Sequence, residues 1–141
     1  MASSTQRRAL VAVFISAGRL RRQIGGLFEA HGLSSSQYNI LRILRGAGEP
    51  LPTMTIRDRM MDPQPSITRL IDRLEGRGLV KRRPLTDDRR RVDCEITQAG
   101  VALIEELEGP LDAMDRELMS RLDRKELATL TRLLDKVGDP E

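Results

Sequence analysis

The stretch Pro63-Gln64-Pro65-Ser66-Ile67-Thr68-Arg69-Leu70-Ile71-Asp72-Arg73-Leu74-Glu75-Gly76-Arg77-Gly78-Leu79-Val80-Lys81-Arg82-Arg83-Pro84-Leu85-Thr86-Asp87-Asp88-Arg89-Arg90-Arg91 reads as a helix, a sharp stop and a ribbon with a basic tip. Ile67, Leu70, Ile71 and Leu74 recur at steps of three and four, so they line one side of the helix and face a core. Gln64, Ser66, Thr68, Arg69, Asp72 and Arg73 fall on the other side. Asp62 is placed to cap the helix, and Pro63 suits its first position, where the missing N–H has no partner to lose. Pro65 still lies in the first turn, where proline is tolerated. The spacing therefore predicts a helix from Pro63 to Glu75 with a polar, rigid N-terminal end, the end that a groove-reading helix presents to base edges. Taken alone, the same pattern fits an ordinary surface helix with solvated charges.

The ribbon adds weight to the first reading. Val92, Cys94 and Ile96 alternate with Asp93 and Glu95, the period of a strand with one buried face. Arg89-Arg90-Arg91 open that strand beside Asp87-Asp88 in the turn. Three consecutive arginines repel one another and gain nothing from folding, but phosphates or a narrow minor groove neutralise them. A neighbouring carboxylate holds a guanidinium in a fixed direction through a charge-assisted bond. A charged hairpin tip also serves simply to discourage edge aggregation, which explains the run but not its position directly after the helix.

At this point the chain resembles a known family. Ser66 through Arg82 is similar to the recognition helix and first wing strand of MarR-type transcriptional regulators. Asp88-Arg89-Arg90, with Ile96-Thr97-Gln98-Ala99-Gly100 following, resembles the family's wing signature, Asp-x-Arg running through a strand to Leu/Ile-Thr-x-x-Gly. In one departure, the preceding helix reads Thr55-Ile56-Arg57-Asp58-Arg59-Met60-Met61, without the small alanine of the family's Ser-x-Leu-Ala-x-x-Leu. The resemblance covers nearly the whole chain. It implies a mainly α fold with a small β-wing: a winged helix-turn-helix at 34–100, flanked by dimerisation helices at 5–31 and 101–138. It further implies that Arg90 enters a minor groove with Asp88 orienting it. A small-molecule effector, often an anionic aromatic, is expected between the dimer helices and the DNA module.

At 141 residues the chain makes one compact unit. A hydrophobic content of 39% against 32% charged supports a modest core, so much apolar surface is expected to meet a partner. No run of 18 apolar residues and no signal-peptide pattern is present, and a cytoplasmic protein without membrane contact is the expectation. One cysteine excludes an intrachain disulfide, one cysteine with one histidine is too few for a Cys/His zinc cluster, and Gly25-Gly26 lacks the spacing and lysine of a phosphate loop. No cofactor and no enzymatic activity are expected. The net charge of +3 is unevenly spread. Residues 1–56 hold seven Lys/Arg against two Asp/Glu, and residues 57–91 eleven against six. Residues 97–141 reverse this with six against eleven. One basic face and one acidic end suit a protein that meets nucleic acid on one side only. With one Tyr, two Phe and no Trp, there is no stacking platform for single strands, so duplex DNA is the better target.

Outside the central stretch, residues 5–31 read as a long helix in which Gly18 and Gly25-Gly26 each cost up to about 1 kcal/mol, tolerable if both faces are packed. Ser34 with Gln37 forms a capping box for the next helix, which Gly46 and Gly48 end; Pro50 and Pro52 then form a connection. A short helix from about Thr53 to Met60 completes a helix-turn-helix with the helix from Pro63. Thr97 opens another long helix, expected to kink at Pro110. Asp123 with Glu126 caps a last helix ending at Gly138 and Pro140. Met1–Ser4 and Asp139–Glu141 are expected to fray. The leucine rows of the two terminal helical regions lack an intramolecular partner, which points to a C2 homodimer. A helical layer packed over the wing of a monomer is the alternative.

Cys94 is read as a small inward apolar residue and not a redox sensor, because reactive thiols sit in exposed electropositive surroundings. His31 ends the first helix, where a cation complements the dipole. Met54, Met60, Met61, Met114 and Met119 are read as gap-filling core residues. The leading expectation is thus a dimeric, ligand-responsive winged helix-turn-helix repressor. Gln64, Ser66, Thr68 and Arg69 would meet base edges or phosphates, Arg73 and Arg82 the backbone, and Asp88, Arg89 and Arg90 would form the wing contact. A winged-helix protein–protein adaptor that reads no DNA is the rival.

Overall fold

The computed structural model describes residues 1–85 and 88–139; Thr86, Asp87, Pro140 and Glu141, and the side chains of residues 85 and 88–91, lie outside the described residues. Helix α1 (Ser4–Ala30) is capped by Ser3, whose hydroxyl accepts from the Gln6 N–H while the Gln6 side chain accepts from the Ser3 N–H. The N-terminus is therefore tied down up to Ser3, where fraying was expected. Residues 1–17 are exposed throughout, and only the C-terminal part of α1 enters the core, through Phe28 with Ile24 and Leu27 against it. Helix α2 (Ser35–Ala47) starts at the expected Ser34–Gln37 capping box and buries Ile40, Leu41 and Leu44. The Phe28 and Tyr38 rings stack at 4.2 Å between α1 and α2.

The connection at Pro50–Pro52 contains a two-residue strand, β1 (Leu51–Pro52), which pairs antiparallel with the ribbon, Leu51 opposite Cys94. Two residues are too few for periodicity to announce them. Helix α3 (Thr53–Arg59) buries Ile56, and Met60 behind it is also in the core. Of the five methionines expected to fill the core, only Met60 is buried, while Met54 and Met61 are exposed.

Helix α4 (Ile67–Gly76) begins four residues later than its sequence spacing predicts. Pro65 disfavours a helical conformation at Gln64, which works against a helix running from Pro63 through that residue. Asp62 does not cap it; its backbone and side-chain oxygens accept from Gln64 Nε2 at 3.1 and 3.3 Å. The apolar face is as read: Ile67, Ile71 and Leu74 are buried and Leu70 is half-buried. The stop is a Schellman turn. Gly78 (φ +72°) donates to Glu75 O at 2.9 Å and Leu79 to Leu74 O at 3.0 Å, satisfying the last carbonyls of the helix.

Strands β2 (Val80–Leu85) and β3 (Asp88–Ile96) form the wing, and the sheet order is β1-β3-β2. The expected alternation along β3 holds at Cys94, which is fully buried, and fails beside it. Asp93 is buried and Val92 is 37% exposed. Strand β3 is the middle strand, and Asp93 lies between Pro52 of β1 and Arg83 of β2, so lateral neighbours cover it whichever face it takes.

Helix α5 (Gln98–Leu118) is pinned to the root of the wing by Thr97. Its N–H donates to Leu79 O at 3.1 Å, its hydroxyl donates to Gly78 O at 2.6 Å and accepts from the Gly100 N–H at 3.1 Å. A Cβ at Gly100 would sit 2.3 Å from Leu79 O and 2.7 Å from Ile96 Cγ1, so this approach requires glycine. The helix continues on both sides of Pro110. Helix α6 (Arg124–Gly138), with the expected Asp123–Glu126 capping box, buries none of its residues. Among the described residues the fold is thus six helices with a small three-stranded antiparallel wing. No described helix is long and apolar enough to cross a membrane.

Candidate nucleic-acid interface

Helix α4 packs its apolar side on the core and turns Thr68, Arg69, Asp72 and Arg73 outward, all exposed. Ser66 precedes the first helical residue and makes no side-chain cap bond, so its hydroxyl remains free at the helix N-terminus. Gln64 lies in the lead-in segment, half-buried and bonded to Asp62, and not on the helix face where its spacing had put it. Thr68, Arg69 and Arg73 thus share one outward surface, with Ser66 at its leading edge.

Arg82 has a different position from the one expected. Its guanidinium lies 2.6 Å from Asp72 Oδ1 and 3.0 Å from Glu75 Oε1, and reaches Thr68 O at 3.3 Å; its backbone N–H also donates to Glu75 Oε2 at 2.8 Å. This fork fastens β2 to α4 and fixes the angle between wing and helix. The guanidinium expected to meet the DNA backbone is thus already engaged by two carboxylates in the single chain. The hydrogen bonds from Arg82 hold the Glu75 carboxyl below the usual carboxylate range. The sequence signal was the i, i+3 pair Asp72/Glu75 followed by a basic strand; facing geometry, and not spacing, reveals the pairing. At the other end of α4, Arg77 donates from Nη1 to Gly32 O and so ties the helix C-terminus to the α1–α2 turn.

Residues 88–91 continue the wing as the first part of β3. The expected wing contacts of Asp88, Arg89 and Arg90 fall on side chains outside the described residues. Lys81 and Arg83 are exposed on β2, and Arg83 Nη2 lies 3.5 Å from Glu95 Oε1. Cys94 is fully enclosed, and burial pushes its thiol up. Among the described residues, no group of three or more His, Cys, Asp and Glu could hold a metal ion.

The segment between α3 and α4 rests on the other helices. The Met61 N–H donates to Asn39 Oδ1 of α2 at 2.9 Å, and Asp62 Oδ2 lies 3.8 Å from Arg21 Nη1 of α1. Beneath it, between α1, α2 and α5, is a cavity of about 660 Å³ with Ile24, Phe28, Tyr38, Met60 and Leu111 among its walls. Polar groups on its lining include Arg21, Asn39, Arg42 and Asp115. Sequence reasoning placed an effector in this region only by resemblance; no spacing in the chain marks the cavity, whose walls come from four separated segments.

Comparison with known proteins gives a consistent result. A family model described as the MarR family matches residues 33–92. The HTH-type transcriptional regulator PecS of Dickeya dadantii is 30% identical over 118 residues, 82% of this chain and 71% of that protein. The crystal structure of a MarR transcription factor from Planctomyces limnophilus matches with a TM-score of 0.75 at 35% identity, covering 96% of this chain and 98% of that one. A mutant MarR from E. coli, in a crystal structure complexed with operator DNA, matches with a TM-score of 0.81 at 25% identity over 89% and 90% of the two chains.

Proposed function

The chain belongs to the MarR family of helix-turn-helix transcriptional regulators, and from that premise we propose that it is a homodimeric, sequence-specific repressor that releases operator DNA when a small molecule binds. The observation that carries the DNA-binding reading is the outward face of α4. Thr68, Arg69 and Arg73 stand exposed on a helix whose opposite side is fixed in the core, with the uncapped Ser66 at its leading end. A polar helix held rigidly by its apolar side is the element that fits a major groove. In this reading Ser66, Thr68 and Arg69 meet base edges or phosphates, Gln64 meets the DNA from the lead-in segment, and Arg73 meets a phosphate. Asp88, Arg89 and Arg90 form the wing contact in the adjacent minor groove, and Arg82 sets the angle between wing and helix.

The homodimer rests on apolar surface that the single chain leaves bare. Leu10, Val13, Phe14 and Ile15 of α1, and Leu133, Leu134 and Val137 of α6, are exposed. Pairing α1, α6 and part of α5 across a two-fold axis would cover both rows and leave 34–100 as the DNA-reading unit. Two reading heads then ask for a pseudopalindromic site whose major-groove centres lie about 34 Å, or a multiple, apart. The cavity under the α3–α4 segment is the effector site in this reading: an aromatic molecule fits its apolar walls, and the rim carries both Arg21 and Arg42 and the carboxylates Asp62, Glu108, Asp112 and Asp115. Cutting DNA affinity 100-fold needs about 2.7 kcal/mol of coupling, within the normal allosteric range.

The test is selection of bound fragments from the source genome with the purified protein. Recovery of a small set of fragments sharing an inverted repeat is the expected result. Recovery without sequence preference, or none, removes the DNA-reading function and favours the adaptor.

A further inference from the structure

We propose that Asn39 is the positioning residue through which occupancy of the cavity sets the start of the recognition helix; the proposal rests on the reading of that cavity as the effector site. Helix α4 begins at Ile67 with no side-chain cap, so nothing within the helix itself fixes its first turn. That turn is placed by the segment leading into it. The buried Met60 anchors the segment's beginning, whereas Met61 is 84% exposed and is not held by packing. The ion pair between Arg21 and Asp62 spans 3.8 Å with both side chains largely exposed, the kind of pair that contributes little. The hydrogen bond from the Met61 N–H to Asn39 Oδ1, at 2.9 Å, is the better tether. Among the described residues, Asn39 is the only side chain of α2 bonded to the segment.

Asn39 also lines the cavity, as do Met60, Met61 and Asp62, with Ser36 one turn earlier on α2. The two partners of the tether are thus two walls of one space. An object filling that space separates them and lengthens the bond. The released segment no longer holds Ser66 and Ile67 in register with the groove, although α4 stays packed through Ile71 and Leu74. Because much of the wall is apolar, bulk alone is sufficient, and a phenyl ring introduced at Ser36 serves as the probe.

The experiment is a double-mutant cycle on full-length protein, with affinity for a selected operator fragment as readout. Ser36→Phe should weaken binding about tenfold in the wild-type background and less than twofold in Asn39→Ala, whose tether is already gone. Asn39→Ala alone should weaken binding to a similar extent with the salt slope of wild type, since no phosphate contact is lost. Asn39→Asp keeps an acceptor and should bind as wild type. Equal weakening by Ser36→Phe in both backgrounds overturns the role of Asn39 while leaving the cavity as an effector site. No weakening in either background overturns the cavity reading and the proposal with it. Should Ser36→Phe fail to fold, Ala17→Phe fills the cavity from α1 and is read in the same way. Amide hydrogen exchange supplies an independent check: Met61 should be protected in wild type and lose protection in Asn39→Ala, and an unprotected Met61 in wild type contradicts the tether.

Discussion

At the scale of single residues, the chemistry of this chain turns on a few positions where one group has no substitute. Gly100 is one: with Leu79 O 2.3 Å from where a Cβ would be, Gly100→Ala must push α5 off the wing root. A loss of about 1–3 kcal/mol in urea unfolding is expected, the usual cost of forcing atoms into a packed site. An unchanged midpoint would show that the contact relaxes freely. Arg82 is another. Arg82→Ala leaves Asp72 and Glu75 facing each other without a cation, and a loss of about 1–2 kcal/mol is expected for a charge-assisted fork that is partly exposed. Operator affinity should fall for all sequences alike, with the salt slope intact, because the guanidinium was not free to neutralise phosphate. A slope lowered by about one unit would return Arg82 to a direct contact. The depressed Glu75 fixes a pH window: its contribution is present above the unfolded carboxyl value and is lost as pH falls through the lower folded one. Thermal unfolding should therefore separate wild type from Glu75→Gln at neutral pH and bring them together as pH falls through the depressed folded value of Glu75. Cys94, enclosed and with a raised thiol, should resist alkylation at pH 8 until the protein is unfolded.

At the scale of elements, the sequence carried the face of α4, the stop after it and two capping boxes, Ser34–Gln37 and Asp123–Glu126, because each is a local pattern with a local cause. It misplaced the start of α4, where two rules compete. Pro63 is welcome at a first helical position, but Pro65 disfavours a helical conformation at its predecessor, and the second rule wins. It also missed what depends on neighbours far along the chain. The strand β1 exists because β3 offers it an edge, Asp93 is buried because two strands flank it, and Arg82 is engaged because α4 presents two carboxylates to it. The reading helix has its own prediction. Ser66→Ala or Gln64→Ala should change which fragments a selection recovers, while Arg73→Ala should weaken binding to all of them. If every variant weakens every fragment equally, α4 positions the protein without reading bases.

At the scale of the molecule, the single chain leaves part of its apolar surface uncovered. Its core is built from α2, α3, α4, the wing and the inner parts of α1 and α5, while α6 buries nothing and the first half of α1 stands in solvent. The rows read from the sequence as lacking a partner divide in two: Leu10, Val13, Phe14, Leu130, Leu133 and Leu134 stay exposed, whereas Phe28, Ile104 and Leu107 of the same rows are buried within the chain. A dimer at micromolar concentration is expected, and Leu130→Glu with Leu134→Glu should yield a poorly stable monomer, since unpaired buried charges are costly. Its DNA affinity should fall steeply, because linked half-site contacts raise the effective concentration of the second. The most direct measurement is a fluorescence anisotropy titration of wild type and Arg90→Ala on a selected fragment and its scrambled counterpart, at several salt concentrations. The predicted result is two chains per site and affinity for the selected fragment that falls linearly with log salt. The scrambled fragment should bind far more weakly, and Arg90→Ala should lose roughly 1–3 kcal/mol on the selected one. Equal affinity for both fragments, or none for either, would contradict sequence-specific DNA recognition by this protein.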